Sequence, residues 1–437
     1  MGCTALGRLL VSSSRDYFVV DGEKFFYLAD TAWSAFTNAS LEDWAYYLEI
    51  RRSQGFNAVQ LNILPQHDRS VPDLGVEPFE TAPSGGWDFA KISGAYFDRA
   101  EKMVEMAVER GLVPALVVLW YNYVRGTRAA DPSKIIPFEH LQSYVEYVVE
   151  RFAKYDPIFI ISGDTDFKTD EALKYYLAAL EIVKKRAPHC LTTMHLISGL
   201  VLPEPFVYSP HLDFYMYQSG HKGDQQHLAY ELAQKFYSLP VKRPIVNGEP
   251  CYENICGMGH RGGLRRFTRS DVRKAIWQSL LSGAKAGVAY GALGIWNWHT
   301  LGKRFTHEKR WGPSYDWKTA LAFPGACDAA FARWVFERYD LFDIEPANDR
   351  LAREEGVDPR EYDEIRVSIG RGKVVLYMPY PNYAVKLAVD GSAYRWEGIE
   401  LDSRRVFRPR IDTERELTSV RIPEFVNTDS IVIGTER

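Results

Sequence analysis

Residues 25–33 read FFYLADTAW, an apolar run closing on Asp30 and Trp33. A continuous apolar run of this length, bounded by polar residues, is the pattern of a strand buried on both faces. The end of that strand separates two folds. A doubly wound open sheet places a glycine-rich turn after its first strand, so that backbone amides can cradle a phosphate. Ala29-Asp30-Thr31-Ala32-Trp33 contains no glycine and opens no such loop. The other solution for parallel, doubly covered strands is a closed barrel, which requires eight of them.

The chain supplies the other seven. They read NAVQLNIL (57–64), LVPALVVLW (112–120), PIFIISGD (157–164), CLTTMHLI (190–197), LDFYMYQS (212–219), PIVNGE (244–249) and AGVAYGALGIWNW (286–298). Between them, residues 41–54, 95–111, 138–155, 170–186, 228–239 and 270–283 carry apolar positions at helical spacing. Residues 198–211 are too few and too proline-rich for a full helix, and 319–339 suits the last one. The fold class is therefore α/β: a (β/α)8 TIM barrel over residues 25–342. Residues 1–24 precede it as an N-terminal β hairpin. From 343 to 437 the pattern changes to period two with frequent turns, the mark of a small all-β sandwich, in which Asp390-Gly391 is expected to close a hairpin.

Composition narrows the partners. A net charge of -4 over 437 residues offers no general attraction for a phosphate backbone, so no nucleic acid is expected. No apolar run approaches a membrane span. The N-terminus has neither the apolar core of a secretory signal nor a myristoylation pattern, which points to a cytoplasmic protein. Five scattered cysteines fit reduced thiols. HExxH, GxSxG and P-loop motifs are all missing, so neither a metal nor another cofactor is expected. A homo-oligomer is compatible with the sequence.

In a barrel of this kind, reactive groups gather at the C-terminal ends of the strands. Read in order, those ends give Asp30 and Trp33, then Asn62 and Gln66, then Trp120 and Tyr121, then Asp164 and Asp166, then His195. The last three give Tyr217, Gln218 and His221, then Glu249, Tyr252 and Glu253, then Trp296 and His299. Hydrogen-bonding groups for hydroxyls and flat rings for sugar faces converge on one rim, and 14% aromatic residues suit such a lining. The expected partner is an oligosaccharide or glycoside.

Two carboxylates are singled out by position. Asp164 closes the fourth strand and Glu249 the seventh, roughly opposite each other in an eight-stranded barrel. A glycosidase needs such a pair: one carboxyl protonates the leaving oxygen, and the other attacks the anomeric carbon or activates water. Plainer readings stand beside this. Asp164 could only cap a turn, Glu249 could pair with Arg243, Asp30 could be structural, and Trp120 and Trp296 could be core.

Six strings taken together, FFYLADTAW, GFNAVQLNIL, ISGDTDF, LDFYMYQSGH, PIVNGEPCYE and YGALGIWNWH, resemble the apiosidase-like glycoside hydrolases over residues 15–340. These are (β/α)8 enzymes that often carry a C-terminal β domain of the collagen-binding type. The resemblance implies retaining hydrolysis of a glycosidic bond, with Asp164 as acid/base and Glu249 as nucleophile. Exo action on plant- or microbe-derived oligosaccharides is the accompanying expectation. The resemblance further implies that Tyr252 and Glu253 orient the nucleophile or contact sugar. Related barrels place Asn-Glu at the end of strand four, where this chain has Gly163-Asp164, so the residue that recognises the 2-hydroxyl is not given by the motif. The alternative is a catalytically silent carbohydrate-binding protein using the same cleft.

Overall fold

The computed structural model describes residues 7–437 except 73, 84, 129–131, 258–264, 353–362 and 382–383. The expectations placed on residues 1–6, Cys3 among them, lie outside the described residues.

Eight strands form one parallel sheet: β1 (Tyr27–Thr31), β2 (Ala58–Asn62), β3 (Val113–Trp120), β4 (Ile158–Gly163), β5 (Thr192–Thr193), β6 (Tyr215–Gln218), β7 (Ile245–Glu249) and β8 (Gly287–Tyr290). Their order is β5-β4-β3-β2-β1-β8-β7-β6. The gap between β5 and β6 is bridged by Asp213, whose N–H donates to Thr192 O at 3.1 Å. Its carboxylate in turn accepts from Thr192 N at 2.7 Å. Every residue of β1, β2, β3, β4 and β7 is buried, as continuous apolar runs require of strands covered on both faces.

Helices between the strands start where short hydroxyl side chains can satisfy orphan amides. Ser40, Ser93, Thr169 and Thr268 each accept an N–H from the first turn of the helices Leu41–Ser53, Gly94–Glu109, Asp170–Arg186 and Arg269–Leu280. Each such cap contributes about 1 kcal/mol. The helix expected at 319–339 is two pieces, Trp317–Leu321 and Gly325–Arg338, because Pro324 cannot continue a helix and instead begins the second.

The N-terminal segment adds a strand to the expected hairpin: Leu9–Val11, Phe18–Val20 and Glu23–Phe25 form a three-stranded antiparallel sheet. Phe18 from this sheet packs edge-on against Phe214, at 5.0 Å between ring centroids.

The C-terminal region is a pair of antiparallel sheets of six and four strands around a separate core that includes Val367, Leu376, Leu387 and Val432. Asp390-Gly391 does not close a hairpin. The chain leaves Ala384–Ala388 in the four-stranded sheet and crosses a short 3-10 turn at Gly391–Ala393. It then enters Tyr394–Glu400 in the six-stranded sheet. The Asp390 carboxylate accepts from Ser392 N at 3.0 Å and shapes this crossover. A hairpin forms instead between Arg410–Glu414 and Leu417–Arg421, turning at Arg415 with φ 58°.

Candidate active site

Asp164 follows β4 directly, and its backbone is left-handed, with φ 50°. The preceding Gly163 lies against the ring of Trp120, paired with it across β3 and β4. A Cβ at 163 would come within 2.1 Å of that ring. No side chain fits there while the Trp120 ring keeps its place. Asp164 caps nothing, since its Oδ1 has no hydrogen-bond partner among the described residues. Arg128 approaches its Oδ2 at 3.7 Å and donates to its backbone oxygen at 3.2 Å.

Glu249 is the last residue of β7. Gln218 Nε2 donates to its Oε1 at 2.5 Å, and His221 Nε2 lies 2.8 Å from the same oxygen. His195 Nε2 stands 3.2 Å from Oε2, off the line of a well-formed hydrogen bond, so Oε2 remains without a partner among the described residues. Both histidines are fixed in the same way. The backbone N–H of Tyr252 donates to His221 Nδ1, and that of Asp164 to His195 Nδ1, each at 3.3 Å. A ring nitrogen that accepts carries no proton, so each neutral imidazole holds its hydrogen on Nε2, facing Glu249. Arg243 is not the partner of Glu249. Its guanidinium donates to the carbonyls of Val207, Ser209 and Leu212.

One oxygen of Asp164 and one of Glu249 lie within 4.8 Å of each other. Their environments drive them apart. Burial opposes ionisation of Glu249, but the facing N–H groups of His195 and His221 outweigh it and hold the carboxyl well below the usual carboxylate range. Burial, reinforced by the charge of Glu249, pushes the Asp164 carboxyl up to about 7. One group is held as an anion and the other as an acid, the separation that acid and base roles require.

Asp164, His195 and Glu249 could also be considered as a ligand set for a metal. Ligation through His195 Nε2 would move the ring proton to Nδ1, where it would meet the N–H of Asp164. The arrangement therefore suits a hydrogen-bond donor rather than a ligand. The other such group, Asp156, His189 and Cys190, has its carboxylate paired with Arg8 at 2.9 Å.

The carboxylates open into a pocket of about 240 Å³. Of the residues expected there, Trp33, Gln66, Trp120, Gln218, His221, Tyr252 and Trp296 line it with the two acids. Trp33 is held in place by Tyr252, whose hydroxyl accepts its indole N–H at 2.9 Å. His195 is fully buried and sits one layer behind, stacked on Trp120. Asn62, Tyr121, Asp166 and His299 sit beside or behind the lining. Asn62 donates to Gln66, and the Tyr121 hydroxyl meets His67 at 3.1 Å. Asp166 pairs with Lys168, and His299 meets Ser70 at 2.8 Å.

Three expected sugar contacts are held elsewhere. Asp30 is buried in an ion pair with Arg51 at 2.6 Å and accepts from Tyr47 at 2.6 Å. Glu253 accepts from Tyr290 and from the first amide of the helix Gly325–Arg338, acting as its anionic cap. Tyr217 points the opposite way from Gln218, as neighbours on a strand must, and donates to Ala229 O. Asp68, Arg128, Lys222, Arg310 and Trp311 also line the wall and were not anticipated. Asp68, Arg128 and Lys222 come from loops and Arg310 and Trp311 from the four-residue helix Glu308–Trp311, segments too short for any periodicity to mark them.

A (β/α)8 barrel with two facing carboxylates at the ends of strands four and seven defines a class, the glycoside hydrolases. The chain belongs to the apiosidase-like family, whose catalytic-domain model matches residues 12–343. No curated protein matches it. Among solved structures, one described as a glycoside hydrolase has 20% identity and a TM-score of 0.80, covering 98% of this chain and 97% of its own. A family 5 glycoside hydrolase from Bacteroides vulgatus has 19% identity and a TM-score of 0.81, covering 98% and 93%. At these identities the likeness speaks for the fold, and it extends over the β domain as well as the barrel.

Proposed function

We propose that the chain hydrolyses a terminal glycosidic bond with retention of configuration, with Asp164 as acid/base and Glu249 as nucleophile. The observation that carries this reading is the approach of the two carboxylates, oxygen to oxygen, within 4.8 Å. Retaining enzymes hold their carboxyls about 5–5.5 Å apart, whereas inverting enzymes need roughly 6.5–9.5 Å to admit a water between.

The hydrogen bonds divide the work of Glu249 between its two oxygens. Oε1 is anchored by Gln218 and His221, and Oε2 is left to form the bond to carbon. In the first step Asp164 gives its proton to the glycosidic oxygen as Oε2 attacks the anomeric carbon and the bond to the leaving group breaks. In the second, Asp164 takes a proton from water, the water oxygen bonds the anomeric carbon, and the ester to Glu249 breaks. The small volume of the pocket, below the usual range for drug-sized ligands, supports attack on a chain end.

The test is a panel of aryl and alkyl glycosides with wild type and Asp164→Asn. A dinitrophenyl leaving group needs no proton, so the variant is expected to keep most of its glycosylation rate on that substrate and to lose roughly 100-fold or more on alkyl glycosides. Equal losses on both contradict the acid role. Binding of sugars with no turnover of any substrate favours a silent lectin.

A further inference from the structure

Gln218 and His221 hold Glu249 alone, but His195 touches both carboxylate residues. We propose that His195 is a positioning residue that locks the acid and the nucleophile into one geometry, a proposal that rests on the catalytic roles of Asp164 and Glu249. It lies just beyond the short strand β5 and is fully buried. Its backbone is pinned to β4 on both sides: its N–H donates to Ser162 O at 3.3 Å, and Ser162 Oγ donates to its carbonyl at 2.8 Å. The ring is held between two indoles. Trp120 lies nearly parallel to it at 5.7 Å with an interplanar angle of 30°, and Trp33 meets it edge-on at 5.6 Å. A side chain so confined has a single orientation, with one nitrogen directed at each carboxylate residue.

Nδ1 takes the backbone N–H of Asp164. That residue sits in the left-handed region, costly for any residue bearing a Cβ, so its conformation persists only where neighbours enforce it. The ring of His195 is one of those neighbours, and through it the direction of the acid is set. Nε2–H faces Glu249 Oε2, the oxygen that bonds carbon. One rigid ring therefore fixes the separation between the proton donor and the attacking atom. Misplacement by about 1 Å costs as much as 10²-fold in rate.

Two substitutions separate the contacts. His195→Asn keeps an acceptor at the level of Nδ1 but cannot reach Glu249. His195→Gln places its amide nitrogen at the level of Nε2 but gives up the seat under Asp164. We expect His195→Asn to lower kcat/KM roughly 10–100-fold on dinitrophenyl and alkyl glycosides alike, because nucleophilic attack is common to both. His195→Gln is expected to fall as far on alkyl glycosides and by less than about 3-fold on dinitrophenyl ones.

If both variants fold and both lose equally across leaving groups, or lose under about 3-fold throughout, the proposal is overturned. Should either fail to fold, ¹⁵N-histidine spectra of the wild type give an independent reading. A neutral His195 with its proton on Nε2 supports the proposal, and a proton on Nδ1 overturns it. Failure of the underlying mechanism is seen separately, as a Glu249→Gln enzyme that still turns over.

Discussion

His221 Nε2 and Glu249 Oε1 stand 2.8 Å apart, and the other nitrogen of that ring accepts the backbone N–H of Tyr252. The nucleophile is thus held by neutral donors rather than by a cation. A paired arginine would stabilise the resting carboxylate and oppose its conversion to an ester. An imidazole N–H and an amide N–H fix the carboxylate's direction with less electrostatic penalty when the charge is consumed.

The raised Asp164 carboxyl sets the alkaline side of the activity. The acid must be protonated to act, so kcat/KM is expected to fall as pH rises through about 7. The same shift acts on stability. An unfolded Asp ionises near its ordinary value, so above that value the folded state is penalised for carrying the charge, fully so above about 7. Asp164→Asn should therefore be more stable than wild type at pH 8 by roughly 1–3 kcal/mol, and the difference should vanish near pH 4. Melting curves at the two pH values check this, and a variant less stable than wild type at pH 8 would contradict it.

Asp30 serves the fold. Its removal leaves Arg51, fully buried, without its carboxylate. Asp30→Asn should cost roughly 3–5 kcal/mol while KM stays as in wild type for the folded fraction. A variant with an unchanged melting temperature and a raised KM would return Asp30 to the substrate.

The barrel was legible in the sequence because its strands are buried on both faces and so read as unbroken apolar runs. The hairpin Arg410–Glu414 with Leu417–Arg421 was not, since much of it faces solvent and its residues are largely polar. Among site residues, position at a strand end carried the two acids but could not separate Gln218 from Tyr217. Only the pleat decides which of two neighbours faces the pocket. Asp30 and Glu253 look like Asp164 and Glu249 in the sequence, and what distinguishes them is the Arg51 guanidinium and the helix amide that meet them in space. Trp120 was legible as a lining residue, whereas its packing on Gly163 needed the register of β3 against β4.

The β domain is tied to the barrel through charge. Arg273, on the helix Arg269–Leu280, joins Asp328 of the barrel at 2.9 Å to Asp429 of the β domain at 2.5 Å, all three buried. Tyr377 also donates to Asp429. Arg273→Ala should destabilise by roughly 3–5 kcal/mol because Asp429 is left buried without its cation. The folded enzyme should keep its kcat, and a fall in kcat at an unchanged melting temperature would show that the β domain acts on the site.

The most direct measurement is the site of covalent capture. Wild type and Glu249→Gln are incubated with activated 2-fluoro glycosides of a sugar the enzyme cleaves, then digested and mapped by mass. One glycosyl adduct is expected, on Glu249, in the wild-type enzyme, with no adduct in a Glu249→Gln variant that is folded and still binds sugar. An adduct on another carboxylate, or release of product with inverted configuration, would contradict the assignment of Glu249 as nucleophile.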